Sequence, residues 1–331
     1  MTMARRFDDA ERFPGELKGG VVAIGNFDGV HRGHQAVLAS ATEAAQASGV
    51  SAVVLTFEPH PRTVFRPDQP VFRLTPAPMK AAILGHLGFD AVVEQTFDKA
   101  FSAQSAEDFV VDILCERLGV HHVFTGYDFH FGKGREGNPD FLMQAGQRHG
   151  FGVTLVEQFQ DENADVVSSS RIREKLAQGA VEEAAGLLGY RYAVSAEVLH
   201  GKKLGRTLGY PTANMSLPPE TTLLPGIYAV RYRRADGSIH DGVASFGRRP
   251  TVDDDNAALV LETVLFDFSG DLYGETCTVS FVSRLRGEEK FDGLDQLVAQ
   301  MKIDEAEARA VLGQVTPLSP LDRAMTFGPA E

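Results

Sequence analysis

The sequence predicts an α/β domain followed by an all-β domain. Three observations carry this expectation. From about residue 20, short apolar runs alternate with longer helical patterns; after Gly186, β-type runs follow one another with only turns between them; and the chain then closes on a helical pattern. The first run, Val21–Ile24, leads into an Ala-rich helical segment ending near Ser48, and Ala52–Leu55, Ala91–Val93, His122–Phe124 and Val153–Leu155 supply further strands. These runs are too apolar for a half-exposed sheet, so they predict parallel strands with helices on both faces. Tyr192–Leu199, Ile227–Arg233, Ile239–Ser245, Leu259–Phe268 and Thr276–Val282 are bounded by Gly, Pro and Asp turns and predict an antiparallel barrel or sandwich. Leu294–Met301 and Glu305–Leu312 read as the helical end, and the stretch beyond Pro317 as a poorly ordered tail. The expected division is residues 1–186, residues 187–316 and a tail over 317–331.

The 331 residues carry 32 Lys and Arg against 45 Asp and Glu, a net charge of −13, with acid in both halves and no basic block. Such a field repels phosphate backbones, which argues against a nucleic-acid surface and requires any phosphate ligand to be held locally. The N-terminus MTMARRFDDAERF is charged, and no apolar run approaches the roughly 18 residues of a membrane helix. A cytoplasmic protein with no membrane partner is expected. Cys115 and Cys277 stand in no CxxC arrangement and are expected to be buried free thiols.

A local anion site follows the first strand. Gly25-Asn26-Phe27-Asp28-Gly29-Val30-His31-Arg32-Gly33-His34 is a glycine-bearing turn running into a helix N-terminus, where free N–H groups and the helix dipole favour phosphate. His31 and His34, three apart, share one face of the first helical turn, and Gly33 between them would leave room for a ligand. Such imidazoles can donate hydrogen bonds to phosphate oxygens in a transition state. Near the end of the same half, Ser168-Ser169-Ser170-Arg171-Ile172-Arg173 combines serines, which can cap a helix, with two planar donor forks suited to phosphate. Gly132-Lys133-Gly134-Arg135-Glu136-Gly137 formally matches GxGxxG, but it lies far from the first strand and is followed by Asn138-Pro139, so a loop is expected there. No GxxxxGK[ST] is present, which excludes a P-loop. Thr56–Arg62 (TFEPHPR) and Arg73-Leu74-Thr75 are balanced between ligand contact and simple turns.

The second half has a site of its own. His200–Asn214 concentrates glycines, cations and a Pro-Thr-x-Asn group in what reads as one loop. Gly201, Lys202, Gly205 and Pro211 are candidates for wrapping nucleotide phosphates, while Thr212 and Asn214 offer neutral oxygens two residues apart, suited to Mg²⁺ shared with a nucleotide. Glu262 is a lone carboxylate in an apolar strand, balanced between an outward-facing strand residue and a general base for an alcohol. Arg284, Arg286 and Glu288–Phe291 begin the closing segment.

The ordered set GNFDGVHRGH, TFEPHPR, GYDFHFGKGREG and SSSRIR, then GRTLGYPTAN, PGIYAV, GVASFGRRPT, LETVLFDFSGDLYG and RGEEKF, resembles the bacterial bifunctional riboflavin kinase/FAD synthetase family from about residue 18 to residue 312. The resemblance implies a Rossmann-like HxGH nucleotidyltransferase domain and a six-stranded antiparallel riboflavin kinase barrel with a terminal helix. It implies that riboflavin and ATP give FMN and ADP in the second domain, and that FMN and a second ATP give FAD and pyrophosphate in the first. By matching position, His31, His34 and Arg173 would be catalytic in the first domain, with Gly25, Phe27, Asp28, Gly33, Ser168, Ser169 and Arg171 contacting ATP. Glu262 would be the base of the second domain, with Thr212 and Asn214 on Mg²⁺. Phe57, Pro59, His60, Tyr127, Asp128, Phe129 and Arg286 are the candidates for flavin contact. This chain departs from the family pattern at His130, Ser245, Phe246 and Val264. Self-association is left open by the sequence.

Overall fold

The computed structural model describes residues 4–200, 212–248 and 259–328. The chain divides into two compact units, Met1–Ser168 and Ser169–Glu331.

The first unit is built on six strands: β1 (Arg5–Asp8), β2 (Val21–Ile24), β3 (Ala52–Glu58), β4 (Ala91–Thr96), β5 (His122–Gly126) and β6 (Gly152–Val156). Their order across the sheet is β1-β4-β3-β2-β5-β6 with every neighbouring pair parallel, as the apolar runs predict. β2 is buried along its whole length, and β3 from Ala52 to Phe57. β1 was not expected, since Arg-Arg-Phe-Asp has no strand pattern; it is an edge strand, where charge is tolerated. The helices are α1 (Arg32–Ser48), α2 (Pro61–Phe65), α3 (Ala77–His86), α4 (Ala106–Asp108, continued as a π-helix over Phe109–Arg117) and α5 (Pro139–His149). α1 buries Val37, Leu38, Ala41 and Ala45 and stops where Gly49 takes a left-handed conformation at φ 66°. The GxGxxG stretch forms a short turn at Lys133–Arg135 bounded by a bridge between Phe131 and Gly137, and Asn138 caps α5, so it is the loop expected.

β2 is central. The chain leaves it to build β3 on one side and, later, β5 on the other, so the strand order reverses between β2 and β5. In open parallel sheets a ligand crevice lies outside the carboxyl ends of the strands at such a point. The turn Gly25–His31 and the segment Tyr127–Phe129 follow the carboxyl ends of β2 and β5.

The second unit opens with α6 (Ser169–Ala177) and α7 (Val181–Leu188). The expected boundary at residue 186 therefore does not coincide with the division by packing: the Leu224 amide donates to the Leu176 carbonyl at 3.0 Å, and Gly179 sits against Arg284, which ties these helices to the β structure that follows. That structure is β7 (Ala193–Glu197), β8 (Thr212–Leu217), β9 (Gly226–Arg233), β10 (Ile239–Arg248), β11 (Leu259–Leu265) and β12 (Thr276–Arg286), followed by α8 (Leu294–Leu312). The order β7-β12-β9-β10-β11-β8 is antiparallel, and a bridge between Leu199 and Asn214 joins the two edges into a nearly closed barrel. Register shifts in β12 between Phe281 and Ser283 and between Arg284 and Arg286 supply the bends that closure needs. Tyr228, Tyr232, Phe246, Leu261, Val279 and Phe281 are fully buried. On the opposite face, Ala229, Phe266 and Val282 pack with Ala308 and Leu312 of α8.

Three expectations for this half are corrected. Thr212–Leu217 is a strand rather than part of a loop, because Asn214 and Met215 pair with Glu262 and Leu261. The two helical segments are one helix, α8, since Lys302–Asp304 carries no residue that breaks it. The stretch Leu318–Gly328 packs on the barrel domain rather than forming a loose tail: Asp322, fully buried, pairs with Arg191 and accepts from its backbone amide at 2.9 Å, Ser319 donates to the Gly189 carbonyl at 2.7 Å, and Phe327 lies 4.0 Å beneath the Arg231 guanidinium. Cys277 is buried as expected, Cys115 only half-buried, and both are free thiols. Among the described residues no helix is long and apolar enough to cross a membrane.

Breaking a buried pair by removing one partner typically costs about 3–5 kcal/mol, while replacing both partners with apolar residues costs far less. Asp322→Ala is therefore expected to lower the urea midpoint of the barrel transition sharply, and Arg191→Met/Asp322→Leu to recover most of that loss; equal midpoints for all three proteins would contradict the clamp.

Candidate functional site

The turn after β2 is strained and heavily braced. Phe27 and Val30 have φ of 46° and 36°, left-handed values that side-chain-bearing residues adopt only when their surroundings impose them. The Asp28 carboxylate, 2% exposed, accepts from the amides of Leu74 at 3.3 Å and Thr75 at 3.1 Å, and the Thr75 hydroxyl in turn accepts from the Gly29 amide at 2.8 Å. The Asn26 carbonyl accepts from the Thr56 hydroxyl at 3.2 Å and from the Lys80 ammonium at 3.3 Å. Gln35 donates to the Val30 carbonyl at 2.8 Å. A Cβ on Gly25 would stand 2.9 Å from Cζ of Phe27, so only glycine lets the Phe27 ring fold back over the strand end.

Behind this turn lie four charged side chains. Arg73 grips Glu58 through two hydrogen bonds of 2.6 and 2.7 Å and stands 3.5 Å from Asp28; Lys80, fully buried, donates to Glu58 at 2.9 Å and to Thr56 at 2.8 Å. Burial alone would raise the Glu58 carboxyl, but the Arg73 hydrogen bonds and the Lys80 charge outweigh it and hold Glu58 at about 2. Burial pushes Lys80 down from its ordinary value, opposed by Glu58.

His31 and His34 stack at the head of α1 with ring centroids 3.6 Å apart and planes inclined by 18°. His31 caps the helix: its Nδ1 accepts from the His34 amide at 3.3 Å, so the proton of the neutral ring sits on Nε2. His34 meets the Phe27 ring edge to face at 5.4 Å, and its buried Nδ1 has no hydrogen-bond partner among the described residues. Burial drives the His34 ring well below its usual value, and the neighbouring His31 and Lys80 add to the effect, so His34 is neutral. A Cβ at Gly33 would stand 3.2 Å from the His31 ring, so glycine there makes room for that ring.

The other candidates of the first unit divide. Phe57 is buried among Phe97, Phe101 and Phe109 and belongs to the core, whereas Tyr127 is 46% exposed at the end of β5 and Phe129 is half-buried, stacked on Phe131 at 5.4 Å. His60 accepts from the Arg62 amide at 3.1 Å and caps α2 just after Pro59. Asp128 is exposed, and the ring of His130, at a position where the chain departs from its pattern, lies 2.7 Å from the Asp128 carbonyl. Ser168 ends the first unit, and Ser169, Arg171 and Arg173 lie in α6, where Ile172 and Leu176 are buried and both arginines are half-buried.

In the barrel, the register places Asn214, Glu262 and Ser245 side by side on β8, β11 and β10, with Ile227 and Arg286 continuing the row on β9 and β12. Along β11, Leu259, Leu261, Thr263 and Leu265 are buried and Glu262 and Val264 lie on the opposite, partly exposed face. Thr212 is in register with Val264, and Asn214 Nδ2 donates to the Thr212 carbonyl and hydroxyl, each at 3.3 Å. The departures at Ser245 and Phe246 therefore separate: Phe246 fills the barrel core and Ser245 adjoins Glu262. Arg286 is engaged by Asp304 of α8 through two hydrogen bonds of 2.7 Å. Gly201, Lys202, Gly205 and Pro211 lie outside the described residues. Among the described residues no cluster of three or more His, Cys, Asp or Glu forms a metal centre.

The two halves match two families in order. The FAD synthetase family model matches residues 14–171 and the riboflavin kinase model residues 188–312. This chain belongs to the bifunctional riboflavin kinase/FMN adenylyltransferases. The protein of that description from Pseudomonas fluorescens is 44% identical over 296 residues, 89% of this chain and 94% of its own, and that from Escherichia coli K12 is 38% identical over 317 residues, 96% of this chain and 100% of its own. A solved chain from Streptococcus pneumoniae described as a macrolide-efflux protein is 30% identical with a TM-score of 0.81, covering 93% of this chain and 99% of its own. The chain thus carries an N-terminal FAD synthetase domain of parallel α/β architecture and a C-terminal riboflavin kinase barrel with its terminal helix.

Within the FAD synthetase domain, the sequence reading missed Lys80 and left Glu58 and Arg73 undecided. A lysine in an otherwise apolar helical segment, Met79–Leu84, was the available signal. Because the Glu58 carboxyl is depressed, its stabilisation is fully present above the ordinary carboxylate range and is lost as pH falls toward 2. Acid titration of the domain's stability should show a loss on the order of 3 kcal/mol between about pH 4.5 and pH 2, and Glu58→Gln should flatten that limb; an unchanged limb would contradict the ion-pair assignment.

Proposed function

We propose that His31 and His34 carry the adenylyl transfer of the N-terminal domain and Glu262 the phosphoryl transfer of the barrel. The stacked histidine pair at the head of α1, beside the point where the strand order reverses, is the observation that carries the first assignment. The FMN phosphate attacks the α-phosphorus of ATP, the bond to the bridging oxygen breaks, and pyrophosphate leaves. An anionic nucleophile needs no strong base, so positioning and charge stabilisation dominate. The cap sets the His31 tautomer with its proton on Nε2, and that N–H and neutral His34 are assigned as donors to phosphate oxygen. The N-terminus of α1 favours a phosphate ligand, and Ser168, Ser169, Arg171 and Arg173 are assigned to ATP on their match to the family motif alone. Tyr127 and Phe129 offer the flavin aromatic surface at the end of β5.

In the barrel, Glu262 accepts the proton of the riboflavin 5′-hydroxyl, whose oxygen attacks the γ-phosphorus of ATP; FMN forms and ADP leaves. Asn214 stands opposite Glu262 and donates from its amide nitrogen to Thr212, so the Asn214 carbonyl oxygen and the Thr212 hydroxyl belong to one polar group. Those neutral oxygens fit a hard cation that takes few protein ligands, and Thr212 and Asn214 would hold Mg²⁺ there, where it would neutralise charge on the nucleotide phosphates.

His34→Ala is expected to slow FAD formation from FMN by about 10²–10³-fold while riboflavin phosphorylation continues, and Glu262→Gln to do the reverse. Chromatographic separation of the flavins reads both reactions in one sample. Loss of both activities in either folded variant would overturn the division of labour.

A further inference from the structure

Lys80 has no place in the chemistry described above, yet it is fully buried on α3 directly behind the nucleotide turn. An ammonium removed from water is retained at a cost that an apolar side chain of the same volume would avoid. Its three donors have three acceptors: the Asn26 carbonyl at 3.3 Å, the Thr56 hydroxyl at 2.8 Å and the Glu58 carboxylate at 2.9 Å. Two of these belong to the end of β3, and the third immediately precedes Phe27, whose φ is 46°. The strained turn is thus pinned on one side of Phe27 by Lys80 and on the other by Asp28, through its bonds to Leu74 and Thr75.

We propose that Lys80 is a positioning residue for adenylyl transfer: it holds the Asn26 carbonyl and the end of β3 so that the left-handed turn keeps the Phe27 ring against His34. The inference rests on the function proposed for the histidine pair. Phe27 touches His34 edge to face, and His34 stacks on His31, so a turn that relaxes at Phe27 moves both donors. A rearrangement of a few tenths of an ångström at such donors is enough to reduce transition-state stabilisation without removing a substrate contact. Lys80 also bears on the state of His34. The titratable groups facing that ring are His31 at the head of α1 and Lys80 on α3, and Lys80 is itself balanced by Glu58 and Asp28 and opposed by Arg73. Removing Lys80 takes away one of the influences that keep His34 neutral, so the acid limb of FAD synthesis moves to higher pH.

The test is Lys80→Met and Lys80→Met/Glu58→Gln in the full-length protein, the second removing the carboxylate that Lys80→Met leaves without its ammonium partner. Conversion of supplied FMN and ATP to FAD is followed for kcat, KM and pH profile, riboflavin phosphorylation serves as the internal control, and amide hydrogen exchange reports whether β2 and β3 stay protected. The expected result is a tenfold or greater fall in kcat with KM for FMN changed less than threefold in both variants, an acid limb displaced upward, and an unchanged kinase rate. Wild-type kcat in Lys80→Met would overturn the proposal. So would recovery of kcat in the double variant, which would reduce Lys80 to a neutraliser of Glu58, or loss of β2 and β3 protection in both variants, which would make its role one of folding. Failure of the wild-type protein to adenylylate FMN would instead overturn the underlying assignment of the histidine pair.

Discussion

The geometry of the N-terminal site depends on a set of buried and half-buried charges that sums to zero. Asp28 and Glu58 face Arg73 and Lys80, and each member fixes a different piece of chain: the turn after β2, the end of β3, the segment before α3 and α3 itself. Charges withdrawn from solvent are costly unless paired and hydrogen-bonded, and here the donors reach carboxylates, a hydroxyl and a backbone carbonyl. What the arrangement secures is a backbone that would not otherwise persist, with Phe27 and Val30 left-handed and a helix starting at once from His31. The two imidazoles are therefore placed before any substrate arrives, which is the condition for electrostatic stabilisation without reorganisation.

The barrel solves the corresponding problem through register. Because side chains alternate along a strand, pairing β8, β11 and β10 as observed puts Asn214, Glu262 and Ser245 in one row, and a slip of one residue would send Glu262 into the core beside Phe246. The packed interior of Tyr228, Tyr232, Phe246, Leu261 and Phe281 holds that register, while α8 and the C-terminal stretch cover the outer face of β9 and neighbouring strands. Arg231 and Arg233 on that face donate to the carbonyl groups of Leu312, Ala324 and Met325, so the end of the chain is part of the domain's structure.

Much of this was legible in the sequence, for identifiable reasons. Apolar runs such as Val21–Ile24 and Ala52–Leu55 read as interior strands, and the string from Gly25 to His34 carries its own geometry, a glycine-bearing turn into a helix with two histidines on one face; that His31 also caps the helix is visible only in the structure. Asp28 and Phe27 were picked out as ligand contacts by motif alone; the structure shows them first as braces of the turn. Lys80 was not legible, because its meaning depends on Asn26, Thr56 and Glu58, which are distant in sequence and meet only in the sheet. The strand Thr212–Leu217 was hidden by its glycine-rich approach, and the order beyond Pro317 by a composition of turn formers whose partners, Gly189, Arg191 and Arg233, lie far upstream.

The central claim is that one chain performs two successive nucleotide-dependent transfers on a flavin, the kinase step in the barrel supplying the adenylyl acceptor. The most direct measurement is a time course of the purified protein with riboflavin, ATP and Mg²⁺, flavins separated by chromatography and adenine nucleotides and pyrophosphate quantified in parallel. The account predicts that FMN rises first with one ADP per FMN, and that FAD then accumulates with one pyrophosphate per FAD. FAD appearing without any FMN-forming capacity, or ATP consumption that yields neither flavin product, would contradict it.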